Sequence, residues 1–278
     1  MVALLGAAPA AAQDTSASDA ADTWYRDAAV SPDGSTILFT AFGDIHAVPA
    51  DGGTARPLTT HEGYEGMPVW SSDGSMTAFA SDRNGDFDIF VMPADGGPAR
   101  RLTHHDGDDR PTDFSPDGER VLFTSARGDS KESSYFPTGT LPELYEVSVD
   151  GGTPTRRLTT PAEQATWSPS GNQIAYREEK AYESDLRKHD TSAFARDLWT
   201  YDVGTGEHMR VTDFTGADHD PAWGSNGNTL YYLSERSGTF NVWRLNLASG
   251  TPTQVTQHET HPVRDLSIAD DGTLAYTH

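Results

Sequence analysis

The chain has 278 residues, 42 acidic against 20 basic side chains, a formal net charge of −22 and no cysteine. Six repeats of about 45 residues would take up nearly all of that length. Collagen-like, coiled-coil and disulfide-framework classes are excluded by the glycine content, the glycine and proline distribution and the missing cysteine. No apolar run reaches the roughly 18–20 residues that a transmembrane helix needs, so no membrane span is expected. A surface this acidic repels polyanions, so nucleic acid is not expected as a partner.

The basic residues are unusual in kind: only Lys131, Lys180 and Lys188 are lysines, and the rest are arginines. An acidic, lysine-poor surface fits salt adaptation. The alternative places many aspartates in repeated turns, where the carboxylate bonds local backbone; it is favoured for Asp33, Asp51, Asp73, Asp95, Asp117 and Asp150. The turn reading does not account for the shortage of lysine.

Residues 2–12 read VALLGAAPAAA and end in a small-x-small pattern, which predicts a signal-peptide remnant over residues 1–12, cut after Ala12. The competing reading is an alanine-rich tail. A polar linker over 13–23 follows. The leader points to a periplasmic or secreted protein, with a cytoplasmic one as the alternative.

From residue 24 onward the chain repeats. The anchors are Ser31-Pro32-Asp33-Gly34, Ser71-Ser72-Asp73-Gly74, Ser115-Pro116-Asp117-Gly118, Ser168-Pro169-Ser170-Gly171, Gly224-Ser225-Asn226-Gly227 and Ala269-Asp270-Asp271-Gly272. Before each anchor a short strand ends in an apolar residue: Val30, Trp70, Phe114, Trp167, Trp223 or Ile268. After it comes a β-rich strand (TILFT, MTAFA, RVLFT, TLYYL), then a polar loop and a third strand (DIHAV, DIFVM, ELYEV, DLWTY, NVWRL). A second tight turn, such as Asp51-Gly52-Gly53, leads to a fourth strand ending in Leu/Val-Thr.

Four antiparallel strands per unit, repeated radially, predict an all-β fold: a six-bladed β-propeller of four-stranded antiparallel blades starting near residues 24, 64, 108, 161, 217 and 261. The last blade is expected to be incomplete, because the sixth copy reaches only its second strand before His278.

The repeats resemble the WD-like propeller repeats of TolB-type proteins. The resemblance rests on Trp-Ser-x-Asp-Gly, Ser81-Asp82-Arg83-Asn84-Gly85, Asp-Ile-Phe-Val-Met and Arg100–Thr103. A narrower resemblance is to tricorn-type serine peptidases. It is carried by Arg187-Lys188-His189-Asp190-Thr191-Ser192 with residues 195–202, and by residues 211–216 with DHDPAW at 218–223. Blade one, from Gly43 to Gly53, is similar to that family's amino-terminal propeller. The resemblance implies a non-catalytic, six-bladed propeller that channels peptides and docks other domains of the same full-length chain. The family's PDZ-like module and serine-bearing catalytic domain are not among these residues.

The chain offers little local chemistry. No Gly-x-Ser-x-Gly elbow and no phosphate-binding glycine loop is present, so no catalytic residue, metal or cofactor is expected and enzymatic activity is left undecided. His258-Glu259-Thr260-His261 is one residue short of zinc-protease spacing. His104-His105-Asp106 reads as a solvated loop. Asp82-x-Asn84-x-Asp86-x-Asp88 lacks the glycine and glutamate of a calcium loop. Trp70, Phe114, Trp167 and Trp223 read as blade-packing residues.

Binding is expected in the two long loops between second and third strands, residues 127–142 and 177–196. There Lys131, Tyr135, Phe136, Arg187, Lys188, His189 and Arg196 form a basic, aromatic patch on an acidic body, suited to a peptide carboxylate or an acidic docking surface. The expected partners are therefore peptides or protein domains. Three functions follow: an accessory propeller of an exported peptidase, a free-standing TolB-like periplasmic scaffold, or an enzyme with its site in the central tunnel.

Overall fold

The computed structural model describes residues 25–128, 141–178 and 195–278 and, as backbone alone, residues 2–5. Five four-stranded antiparallel sheets run through it in chain order. Blade one is Arg26–Val30, Thr36–Ala41, Asp44–Pro49 and Arg56–Pro57. Blade two is Glu65–Trp70, Met76–Ser81, Asp88–Pro93 and Arg100–Arg101. Blade three is Asp109–Phe114, Arg120–Ser125, Glu143–Ser148 and Thr155–Leu158. Blade four is Ala162–Trp167, Gln173–Glu178, Leu198–Asp202 and His208–Arg210. Blade five is Asp218–Trp223, Thr229–Ser234, Asn241–Asn246 and Thr251–Gln254.

Strand sequence explains strand position. Second strands such as TILFTA and RVLFTS are buried at every residue but the first, because each blade packs against a neighbour on both faces. Fourth strands are short and mostly exposed (Arg56–Pro57, Arg100–Arg101, His208–Arg210), which keeps the outer edges poor templates for pairing. In the anchor turn the Asp33 carboxylate accepts from Ser31 Oγ at 2.6 Å and Ser35 N–H at 3.0 Å. Gly34 supplies the left-handed φ of 73° that the turn needs. Asp73 repeats the arrangement, and these donors hold its carboxyl down at about 2.

The first strands touch one another in ring order, and Arg264–Ile268 closes the ring against blade one. Each seam holds its own apolar cluster. Between blades two and three it is large, with Ile89, Val91, Phe114, Val121, Phe123 and Tyr145. At the closing seam it is small: Ala28, Val30, Ile37, Ala269 and Ala275.

One expectation is corrected. Five complete blades stand in the ring, not six, and the last place is held by a partial, three-stranded sheet in which Leu274–Thr277 lies between Arg264–Ile268 and Val2–Leu5. Among the described residues the sixth copy supplies two strands. Val2–Leu5, from the segment expected as a leader, pairs antiparallel with the second of them, Val2 opposite Thr277 and Leu5 opposite Leu274.

Candidate functional site

The innermost strands carry the chain's most unusual backbone. Each of the six has a register shift against its second strand. In five of them the bulged residue is not glycine yet has positive φ: Asp27, Met67, Gln164, Asp220 and Asp265, at 50–55°. Such residues cost of order 1–3 kcal/mol each and persist where the surroundings hold them.

Here the holding groups are neighbouring blades. Asp27 Oδ2 accepts the Met67 N–H at 3.0 Å and the Thr40 hydroxyl at 2.7 Å. Gln164 Oε1 accepts the Asp220 N–H at 3.1 Å. Asp265 takes the Thr277 hydroxyl at 2.6 Å and the Asp27 N–H. Asp220 takes the Leu266 N–H. Between blades three and four, Asp113 serves instead, accepting from Thr166 Oγ1 at 2.8 Å and Trp167 N–H at 2.7 Å. Side-chain oxygens thus tie one inner strand to the next around the axis. At Gly66 an added Cβ would lie 3.1 Å from Asp27 Oδ2, so glycine lets the first of these ties form.

Three of the tying carboxylates, Asp220, Asp265 and Asp27, fall in consecutive blades across the closing seam. Burial, with the charges of Asp220 and Asp27 alongside, pushes the Asp265 carboxyl up to about 6. Burial would also raise Asp220, but His219 and Arg177 outweigh it and hold that carboxyl low. Asp113 is pushed up to about 6 by desolvation, against the three donors it accepts from.

A second recurring arrangement lies where one blade's loop between second and third strands meets the next blade. In five of the six, the residue that opens the inner strand (Val263, just ahead of Arg264–Ile268, in the last sheet) donates its N–H to a carbonyl just ahead of the preceding blade's third strand. The pairs are Glu65 to Gly43 (2.8 Å), Asp109 to Phe87 (2.7 Å), Ala162 to Pro142 (3.0 Å), Asp218 to Arg196 (3.0 Å) and Val263 to Phe240 (2.9 Å). In three blades that first residue is a fully buried acid paired with an arginine just past the second strand: Glu65 with Arg83, Asp109 with Arg127, and Asp218 with Arg236. Each arginine Nε also donates to a serine two residues earlier, Ser81, Ser125 or Ser234. Each guanidinium lies over aromatic rings, 4.5 Å from the Phe90 centroid, 5.0 Å from Phe123 and 5.1 Å from Trp243.

The third and fourth strands are locked by a threonine. Thr59 Oγ1 donates to Asp44 and accepts the Ile45 N–H, and Thr103 and Thr256 do the same with Asp88 and Ile89, and with Asn241 and Val242. The Leu/Val-Thr ending of the repeat is this lock.

Of the sequence-predicted binding residues, Lys131, Tyr135, Phe136, Arg187, Lys188 and His189 lie outside the described residues. Arg196 is half-buried, and its carbonyl forms the blade four–five bond above. Asp82, from the calcium-like run, accepts the Tyr64 N–H at 2.7 Å. His105 Nδ1 accepts its own loop's Gly107 N–H, and His258 Nε2 lies 3.2 Å from the Tyr276 hydroxyl. Trp70 and Trp223 pack at seams and donate their indole N–H to Ala29 and Thr166 carbonyls of the preceding blade.

Sequence reasoning missed the axial residues. A signal was there: Asp27, Gln164, Asp220 and Asp265 each stand three residues before the apolar residue that closes the inner strand. The exposed residue just before the bulge is Arg in blade one (Arg26) and in the last sheet (Arg264), and blade three exposes Arg110 on its inner strand. With His219 and Glu163, both half-buried, the inner strands present guanidinium, imidazole and carboxylate groups suited to hydrogen-bonding polypeptide backbone.

A family model described as the tricorn protease N-terminal beta propeller domain matches residues 23–278. Among curated proteins, dipeptidyl-peptidase 5 of Porphyromonas gingivalis is 30% identical over 115 residues, covering 40% of this chain and 15% of that protein. An uncharacterized protein of Agrobacterium fabrum is 29% identical over 116 residues, covering 41% of this chain and 35% of its own. The chain therefore spans well under half the length of these relatives. Among solved structures, a putative TolB from Agrobacterium tumefaciens superposes with a TM-score of 0.72 at 18% identity, over 92% of this chain and 90% of that one. The tricorn protease superposes with a TM-score of 0.74 at 15% identity, over 92% of this chain and 24% of that one. At these identities the two structures establish the shared fold.

Proposed function

The chain belongs to the family of tricorn protease N-terminal β-propeller domains, and from that premise we propose that it is the non-catalytic propeller of an exported, tricorn-like serine peptidase, guiding peptides along its axis and docking other domains. The observation that carries this reading is the polar inner wall. Six first strands ring the axis, and beside the tying residues they present the exposed Arg26, Arg110 and Arg264 and the half-buried Glu163 and His219. Export rests on the residue 2–12 leader pattern; a chain cut after Ala12 lacks Val2–Leu5 and keeps Arg264–Ile268 and Leu274–Thr277 in its last sheet. Lys131, Tyr135, Phe136, Arg187, Lys188, His189 and Arg196 keep their proposed role as contacts to peptide or to a docked domain.

The test is photo-cross-linking. An unstructured peptide carrying a photoreactive group is irradiated with the full chain, and the adducts are mapped. Guiding along the axis puts adducts on the inner strands, around Arg26, Arg110, Glu163, His219 and Arg264. Adducts confined to the outer strands, or equal labelling of a heat-unfolded sample, would overturn it.

A further inference from the structure

The face formed by the loops between second and third strands carries an aromatic row over blades one to three. Between Thr36–Ala41 and Asp44–Pro49 the chain turns in two residues, Phe42 and Gly43, both at positive φ (57° and 86°). Asparagine–glycine suits such a turn, whereas a bulky first residue is strained in it. Phe42 stands there all the same. At 86% exposure it is the most exposed large apolar side chain among the described residues, so packing within this chain does not account for it. Beside it, a Cβ on Gly43 would lie 3.8 Å from the Tyr64 ring, and Tyr64 meets Phe87 edge-on at 5.9 Å. Both of these rings are half-buried. Backbone bonds fix the row: Glu65 N–H donates to the Gly43 carbonyl, Tyr64 N–H to Asp82 Oδ1, and Asp109 N–H to the Phe87 carbonyl.

The row already receives one cation from the chain itself. Arg110 places its guanidinium 5.8 Å from the Phe87 ring centroid and pairs with Asp108 at 3.2 Å. That pair faces solvent, its side chains 49% and 48% exposed, so another cation can exchange with it. Glu62, two residues before Tyr64, and Asp86, one before Phe87, are exposed as well. Aromatic rings bordered by carboxylates attract guanidinium and ammonium groups. The net charge of −22 draws cationic partners to the same face and repels a second copy of the chain.

We propose that Phe42, Tyr64 and Phe87 form a docking row for a basic peptide segment, whose arginine or lysine side chains lie over these rings as Arg110 lies over Phe87. The occupant is extended, with cations at alternate positions. Residues i and i+2 of an extended chain stand about 7 Å apart, close to the 5.9 Å between the Tyr64 and Phe87 rings. Phe42 supplies the exposed end of the row, and the carboxylates of Glu62, Asp86 and Asp108 select the charge. The row lies on the loop face and not along the inner wall, so it stands or falls independently of the axial reading above.

The probe is a fluorescein-labelled peptide, GSRSRSG, with its glutamine counterpart GSQSQSG, each added to the full chain. Fluorescence anisotropy reads binding, and amide hydrogen exchange reads its place. Saturable binding of the arginine peptide is expected, with slower exchange over residues 62–65 and 85–88. Phe42→Asn leaves the charge unchanged and gives the turn a residue it favours, so the fold is kept, and binding weakens about fivefold. Arg110→Gln vacates the place over Phe87 and tightens binding about threefold. Attraction by net charge alone would leave Phe42→Asn binding as well as the native chain, and that result overturns the proposal. So does no binding, equal binding of the two peptides, or exchange slowed only along Arg26–Val30 and Ala162–Trp167 of the inner wall; the axial reading survives each of these. If Phe42→Asn loses its cooperative melt, the two peptides and the exchange map of the unsubstituted chain decide alone.

Discussion

The seam between blades two and three and the seam between the last sheet and blade one do the same job with different materials. The first is built from Ile89, Val91, Phe114, Phe123 and Tyr145, with the Asp109–Arg127 pair sealed at its loop end. The second is mostly alanine, has an exposed Tyr25 at its loop end, and is tied at the axis by carboxylates. A ring held by equal units has no weak point by design. This one has a marked asymmetry, and it falls between the last sheet and blade one. Apolar area scales with stabilisation at roughly 25 cal/mol per Å², so the alanine-rich seam is the one that opens first.

The largest expected effect breaks the strong seam. Arg127→Met leaves the fully buried Asp109 without its guanidinium, and unpairing a buried charge costs about 3–5 kcal/mol. Urea unfolding followed by tryptophan emission measures the loss, and a change under about 1 kcal/mol would show that this seam does not depend on its ion pair.

A smaller effect sharpens the other seam through pH. The Asp265 carboxyl sits at about 6 in the folded chain against an ordinary value of 3.8. The folded state therefore keeps this proton to higher pH than the unfolded one does. Its contribution to stability is full below about 4 and is lost as pH rises through 6. Across that window the difference between the native chain and Asp265→Asn should amount to on the order of 2–3 kcal/mol. Parallel melting curves of the two proteins at pH 4.5 and 7 would refute this if they ran at a constant offset.

The smallest effect is at Tyr25. It packs edge-on against Phe39 at 5.3 Å but stands 37% exposed, so Tyr25→Ala costs about 1 kcal/mol or less. The same urea assay reads it, and a loss as large as that of Arg127→Met would mean the closing seam is sealed after all.

Much of this was legible from residues alone. The anchor turns located the second strands, since Ser-x-Asp-Gly is a local structure: Asp33 and Asp73 bond their own turn and need nothing distant. Strand roles followed from local pattern too, because each anchor turn is followed by a β-rich segment such as MTAFAS. The repeating Trp and Phe before each turn correctly marked the seams. The axial residues were hidden. Asp27 and Asp220 look like ordinary polar residues until Met67 and Leu266 arrive from the next blade to donate to them. The arginine of Ser81-Asp82-Arg83 was visible as a motif, but its partner Glu65 belongs to a different part of the repeat and was not seen beside it.

The repeat, the turn chemistry and the four-strand order can be read from residues alone, because each rests on contacts within a few positions along the chain. Ring closure depends on packing between distant strands. Arg264–Ile268 meets Arg26–Val30 across most of the chain's length, and no local pattern sets a contact between strands so far apart in sequence.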